Sequence, residues 1–245
     1  YYPRSMAGLS PFPHRNHDYL LERRKNGYLA NGKDTTWLLR PGKERRLPFG
    51  SMARTLLMEI TTSACRQQKR GPITVANSMR DYFRKDTTGD INGRSHKLLK
   101  ETLDSFKSTE VYLRTVSVNR DFEESITEIK GYLLEDYSID ENGIQVTLSK
   151  WFYAEVVSNP VSVPLNSWMA VKGKSRAIDL LVWLCDKSKA PPGKHSWKDL
   201  RCMFQAQDIN AESLKRQLTK ALDHLNLSCY KRRATVEYGG IRVEG

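Results

Sequence analysis

The 245-residue chain has four cysteines, Cys65, Cys185, Cys202 and Cys229, widely scattered and without a C-x-x-C pair. Such spacing supports neither a zinc ribbon nor a redox motif and favours a reducing, intracellular setting over a secreted one. No apolar run approaches the roughly 18 residues of a membrane span, so a cytoplasmic protein without a membrane partner is expected. No G-x-x-x-x-G-K-[ST] loop occurs; the Gly-Lys pairs at 32–33, 42–43, 173–174 and 193–194 lack the rest of that phosphate cradle. ATP-driven activity is therefore not expected. A His-hydrophobic-His pair, which a metal-dependent nicking enzyme would use, is also missing. His14 and His17 form an H-x-x-H pair in a loop, but without a nearby third ligand they do not make a metal site. His96, His195 and His224 stand alone, and no nucleophile–base constellation appears. The expectation is no catalytic residue, no metal, no cofactor and no enzyme. Tyr1-Tyr2-Pro3 opens the chain in place of Met, as a truncated or processed piece would.

Basic charge is what the chain has in excess. Forty Lys and Arg against 28 Asp and Glu give a net charge of +12 and a pI near 9.5, which suggests an anionic partner. The surplus alternates along the sequence: +6 over residues 1–50, +6 over 51–120, −4 over 121–190 and +4 over 191–245. Two separate nucleic-acid contacts with another surface between them would give that pattern. At 39% hydrophobic residues the chain can still bury a core.

The stretch 87–107, TTGDINGRSHKLLKETLDSFK, organises the first half. A turn rich in Gly, Asp and Asn releases a helix with Leu99, Leu103 and Phe106 on one stripe. Arg94, Lys97, Glu101 and Asp104 fall on the opposite face, flanked by Ser95, His96 and Lys100. A short helix over 76–84 precedes it, so the local order is helix, turn, helix, in which the second helix would enter the major groove. Upstream, residues 48–67 form a first helix that Ser51 can cap, and 73–75 a short β-branched strand. Strands are expected over 110–118 and 125–134, as the wing of a winged helix. Its acids, Asp121, Glu123, Glu124, Glu128, Glu135 and Asp136, would repel phosphates, so the hairpin is expected to face protein. Asn142-Gly143 signals a further turn, 144–148 closes the sheet, and Ser149 caps a helix to residue 157. A turn of helix capped by Asn166 or Ser167 follows.

The second half repeats this order. Residues 175–186 read as a buried helix, 197–204 as a short one, and 211–225 as a long one. Leu214, Leu218, Ala221, Leu222 and Leu225 share one face of the last. Arg216, Thr219 and Lys220 lie opposite, flanked by Ser213 and Lys215. A closing hairpin over 227–230 and 234–238 would carry Lys231, Arg232 and Arg233 at its turn, where a basic wing tip could hold phosphates. The fold expected is α+β with two tandem winged helices: a loosely packed basic arm over 1–47, one domain over 48–158 and a second over 159–245. Arg94 and Arg216 are the candidate base readers, since Arg suits guanine. Lys97 and Lys220 also approach DNA, and Lys100, Lys215, Lys231, Arg232 and Arg233 are candidate phosphate clamps.

The two halves together resemble the plasmid RepA family of replication initiators. The segments carrying the resemblance are 47–57 (LPFGSMARTLL), Gly93-Arg94, 146–149 (VTLS) with Trp151-Phe152, 160–165 (PVSVPL), 177–180 (AIDL) with Trp183-Leu184, and the helix from Ser213. The resemblance implies binding of duplex DNA at repeated origin sequences (iterons), melting of the origin and recruitment of host helicase and primase. It also implies a homodimer in equilibrium with monomer, the dimer repressing its own promoter. A dimeric winged-helix repressor and a DNA-nicking initiator are the alternatives.

Overall fold

The computed structural model describes residues 1–7, 9–14, 28–31, 35–42, 47–84, 93–118, 124–158, 160–186, 188–204, 210–227 and 234–244. Two winged helices follow one another, built by the same topology. In the first, helix α1 (Gly50–Gln67) leads to strand β3 (Ile73–Ala76), helix α2 (Met79–Arg84) and helix α3 (Gly93–Ser108). Strands β6 (Leu134–Asp140) and β7 (Gly143–Leu148) then complete an antiparallel sheet in the order β3-β7-β6. In the second, helix α6 (Ser175–Cys185) leads to β8 (Gly193–Ser196), α7 (Trp197–Met203) and α8 (Ala211–Leu227). Its sheet closes with β9 (Ala234–Glu237) and β10 (Gly240–Val243) in the order β8-β10-β9. Each sheet thus places its last strand in the middle.

Apolar periodicity explains the helices. Leu99, Leu103 and Phe106 are buried on α3, and Leu214, Leu218, Ala221, Leu222 and Leu225 on α8. The sequence stripes are therefore the two core faces. Helix α6 is buried nearly all round, from Ala177 to Leu184. Helix α7 has a reciprocal cap: the Ser196 hydroxyl accepts from the Asp199 N–H (3.2 Å) and donates to its carboxylate (2.6 Å). Between the heads, helix α4 (Lys150–Ser158) and helix α5 (Leu165–Val171) carry the chain across.

Several local expectations are corrected. Ser51 does not cap α1: the helix begins at Gly50, whose N–H donates to the Pro13 carbonyl (2.8 Å), and Phe49 at the cap offers no side-chain acceptor. Ala76 ends β3 instead of opening α2. The Ser149 hydroxyl finds no partner, so it does not cap α4, and Pro164 occupies the cap of α5 instead of Asn166 or Ser167. Cys65 and Cys185 are half-buried at the edge of the core.

The wing of the first head is also not the hairpin expected. Strands β4 (Glu110–Val118) and β5 (Glu124–Gly131) do pair, but they form an insertion between α3 and the wing. The wing is β6–β7, turning at Glu141-Asn142, and Leu134 belongs to it. Two N-terminal strands, β1 (Tyr28–Asn31) and β2 (Thr35–Arg40), add to the insertion as a four-stranded sheet ordered β1-β2-β4-β5. Hence the described residues of 1–47 are not a loose arm. Tyr2, Met6, Leu9, Phe12, Trp37 and Leu39 are all buried, and Phe12 stacks on Phe106 of α3 at 5.4 Å.

Candidate nucleic-acid interface

Each winged helix exposes the polar face of its third helix, α3 in the first head and α8 in the second. On α3, Arg94, Lys97 and Lys100 are exposed along one side, with Ser95 partly covered at the start. Lys97 is 77% exposed and only 4.0 Å from Glu101, one turn on, a pairing that leaves its ammonium largely hydrated. The His96 ring stacks on Phe83 of α2 at 5.2 Å and 12°, which fixes the entry of α3 against its partner helix. Lys107, at the far end of α3, is held by Asp136 (2.7 Å), and Asp104 accepts from the Tyr137 hydroxyl.

On α8 the presentation is similar. Asn210 accepts from the Ser213 N–H (2.7 Å), so a side-chain cap ends the turn and starts the helix. Arg216 and Lys220 are exposed, Lys215 and Thr219 partly so, and Thr219 donates to the Lys215 carbonyl (2.9 Å). Ser213 faces Gln217, whose amide oxygen accepts from Arg176 of α6 (3.2 Å). That contact pins this face of α8 to the first helix of its own head.

The wings differ in charge. The turn of β6–β7 carries Asp140 and Glu141, with Asp140 accepting from the Asn142 N–H (2.7 Å). Acids at a wing tip repel phosphate. Farther back, Glu135 is neutralised by Arg70 (2.5 Å). The β9–β10 turn presents Tyr238, 98% exposed, with Gly239. Trp197 of α7 pins this tip: its indole N–H donates to the Tyr238 carbonyl (3.2 Å) and its backbone N–H to that of Gly239 (3.3 Å). Lys194 and Arg242 flank the tip and share Glu237. The Arg242 hydrogen bond, and then the charges of Arg242 and Lys194, hold the Glu237 carboxyl below the usual carboxylate range. Among the described residues, only the second head therefore combines an exposed basic helix with a wing tip free of excess acid.

Of the residues singled out from sequence, Arg94, Ser95, Lys97 and Lys100 come together on α3, and Ser213, Lys215, Arg216, Thr219 and Lys220 on α8. Lys231, Arg232 and Arg233 lie outside the described residues, and the described hairpin, β9–β10, turns at Tyr238-Gly239. Tyr238, Lys194 and Arg242 were not anticipated. Their signal was the Tyr-Gly-Gly run between two β-branched segments, which marks a hairpin turn as plainly as a basic run does. The acids Glu124 and Glu128 lie exposed on β5, away from either wing, with Glu128 3.6 Å from Arg114; Asp121 and Glu123 lie outside the described residues. Among the described residues no three His, Cys, Asp or Glu side chains gather as a metal would need, and no helix is long and apolar enough to cross a membrane.

This is a tandem winged-helix protein of the α+β class. No protein-family model matches the chain, and no curated protein matches it in sequence. Its fold is similar to the crystal structure of RctB domains 2-3, with a TM-score of 0.53 at 11% identity over 85% of this chain and 84% of that one. A selenomethionine-derivative structure of the same two RctB domains gives 0.50 at 10% identity over 88% and 87%. At such identities the likeness concerns the fold alone.

Proposed function

We propose that the chain is a replication initiator that binds duplex DNA through α3 and α8. One observation carries this: the same topology occurs twice, and each copy buries the apolar stripe of its third helix while exposing a basic face. The fold likeness to RctB domains 2-3 supports the tandem arrangement of the two heads, and the resemblance to RepA supports the initiator role. Arg216 and Arg94 would read guanine, with Lys220 and Lys97 beside them. Lys100 and Lys215 would hold phosphates, as would Lys231, Arg232 and Arg233. Ser95, Ser213 and Thr219 lie where short hydroxyls could reach the backbone of DNA. The second head is the principal reader, because an acidic wing tip burdens the first.

The partners proposed are iteron repeats, the host helicase and primase, and a second copy of the chain in a monomer–dimer equilibrium. A role in repressing its own promoter belongs with these; the resemblance to RepA is their support. The protein acts in the cytoplasm, without a cofactor, as a binding protein and not an enzyme.

The test is selection of sites from a random duplex library, followed by anisotropy titrations across a range of salt. Arg216→Ala should cost about 1–3 kcal/mol in specific binding and relax one position of the site. Arg94→Ala should weaken binding as well, by less. Loss from Arg216→Ala alone would favour a one-headed repressor, metal-dependent cleavage of supercoiled DNA would favour a nicking enzyme, and failure to select any sequence would refute the proposal.

A further inference from the structure

Arg54 of α1 and Asp179 of α6 meet at the junction of the two heads, both fully buried. The guanidinium grips the carboxylate from two sides: Nε donates to Oδ1 at 2.7 Å and Nη2 to Oδ2 at 2.9 Å. Every remaining donor is used on nearby main chain and on Ser10. Nη1 reaches the Gly50 carbonyl (2.9 Å), and Nη2 the Phe12 carbonyl (2.7 Å) and the Ser10 hydroxyl (2.8 Å). Ser10 in turn donates to Asp179 Oδ2 (2.8 Å) and contacts His14 Nε2 (2.8 Å). Burial alone would lower the Arg54 pKa, but the charge and hydrogen bonds of Asp179 outweigh it and hold the group above its ordinary value.

Three separate parts of the chain are thus tied by one polar knot: the first helix of each head and the N-terminal segment. That segment continues the connection in both directions. Tyr2 pairs with Val161 between the heads, Ser5 N–H donates to Glu155 of α4, and Arg4 lies 3.5 Å from Asp186 at the end of α6. A buried ion pair is a poor source of net stability, since desolvation offsets much of its attraction. It is a good source of geometry. A two-point Arg–carboxylate fork is satisfied in one orientation only, whereas apolar helix faces can slide and still bury surface.

We infer that the Arg54–Asp179–Ser10 knot sets the relative orientation of the two heads, and so fixes the spacing and helical phase of the two DNA half-sites the chain accepts. The consequence for DNA rests on the function proposed above; the fixed orientation does not. Arg54, Asp179 and Ser10 are positioning residues that touch no DNA.

The test reads the orientation first without DNA. Spin-labelled unnatural amino acids at the exposed positions Lys100 on α3 and Asp223 on α8 report the distance between the two helices by pulsed dipolar spectroscopy. The wild-type chain should give one narrow peak. Ser10→Ala and the apolar double replacement Arg54→Met with Asp179→Leu should each broaden it at least twofold while keeping helical circular dichroism. If the double replacement does not fold, Ser10→Ala decides. A broad wild-type distribution, or folded variants that keep the wild-type peak, overturns the inference. A second arm selects from a duplex library with varied half-site spacing: the wild type should enrich one spacing, and the variants should accept spacings several base pairs apart. A narrow peak with no DNA selected would leave the knot standing and remove the proposed function instead.

Discussion

Replacing Phe12 by Ala tests whether the N-terminal segment is part of the core. The ring is fully buried and stacks on Phe106 with centroids 5.4 Å apart and planes 29° from parallel. Its carbonyl accepts from Arg54, and that bond survives in an alanine variant, so the change removes the ring and little else. Fully buried Phe→Ala replacements cost about 3–5 kcal/mol, from lost transfer energy and the cavity left behind. Of this, about 0.5–1.5 kcal/mol should be the specific ring–ring contact, recoverable from a double-mutant cycle with Phe106→Ala. Urea unfolding followed by tryptophan fluorescence measures both, with the slope checking that the transition remains a single one. A loss below about 1 kcal/mol with an unchanged slope would refute the reasoning, because it would mean that the segment contributes no core packing in solution.

Three further outcomes are expected. Gly143→Ala should disrupt the first wing: at φ +100° an alanine is strained by on the order of 1–3 kcal/mol, and its Cβ would sit 2.0 Å from the Ala76 carbonyl oxygen. Hydrogen exchange of the β3 and β7 amides should rise, and unchanged protection would contradict the pairing. Tyr2 is buried and Tyr28 is half-buried with its hydroxyl donating to the Ser10 carbonyl (2.7 Å), and desolvation pushes both hydroxyls well above their ordinary pKa of 10.0. Their folded pKa being raised, the stability they contribute is complete below pH 10 and is lost as the pH climbs through the folded values. A spectrophotometric titration should therefore show Tyr2 and Tyr28 ionising only together with unfolding; their ionisation in the folded chain near pH 10 would contradict the enclosure of the two hydroxyls. Finally, Glu124→Lys with Glu128→Lys should leave affinity for the selected duplex within about twofold, since β5 lies outside both wings; a larger change would place this strand at the DNA.

What could be read from residues alone was whatever depends on near neighbours. The stripes of α3 and α8 repeat every three or four residues, so their buried and exposed faces follow from local spacing. The order of elements in the two halves is equally local, and it sufficed to find the duplication. Arg94, Lys97, Arg216 and Lys220 were legible for the same reason: they lie opposite the stripes, and a solvated face is fixed once the buried one is known.

Strand partnership was legible only for the hairpin of 110–118 with 125–134. Alternation marks 110–118 as a strand but is silent on whether its other edge meets β2 or β3, and pairing across such distances is decided by which surface remains to be covered. The wing of the first head was misplaced for that reason, although Asn142-Gly143 already marked the true hairpin. The N-terminal strands had a comparable sign in Asn31-Gly32, between Tyr28-Leu29-Ala30 and Thr35 to Leu39, but a basic, proline-bearing composition masked it. The junction lay still further from reach. Arg54 and Asp179 sit 125 residues apart, each in a helix that packs its own head, and nothing in either segment says that a charge should be buried there. Only the closing of both heads around the N-terminal segment brings the guanidinium, the carboxylate and Ser10 together, where each satisfies a group that would otherwise be too costly to bury.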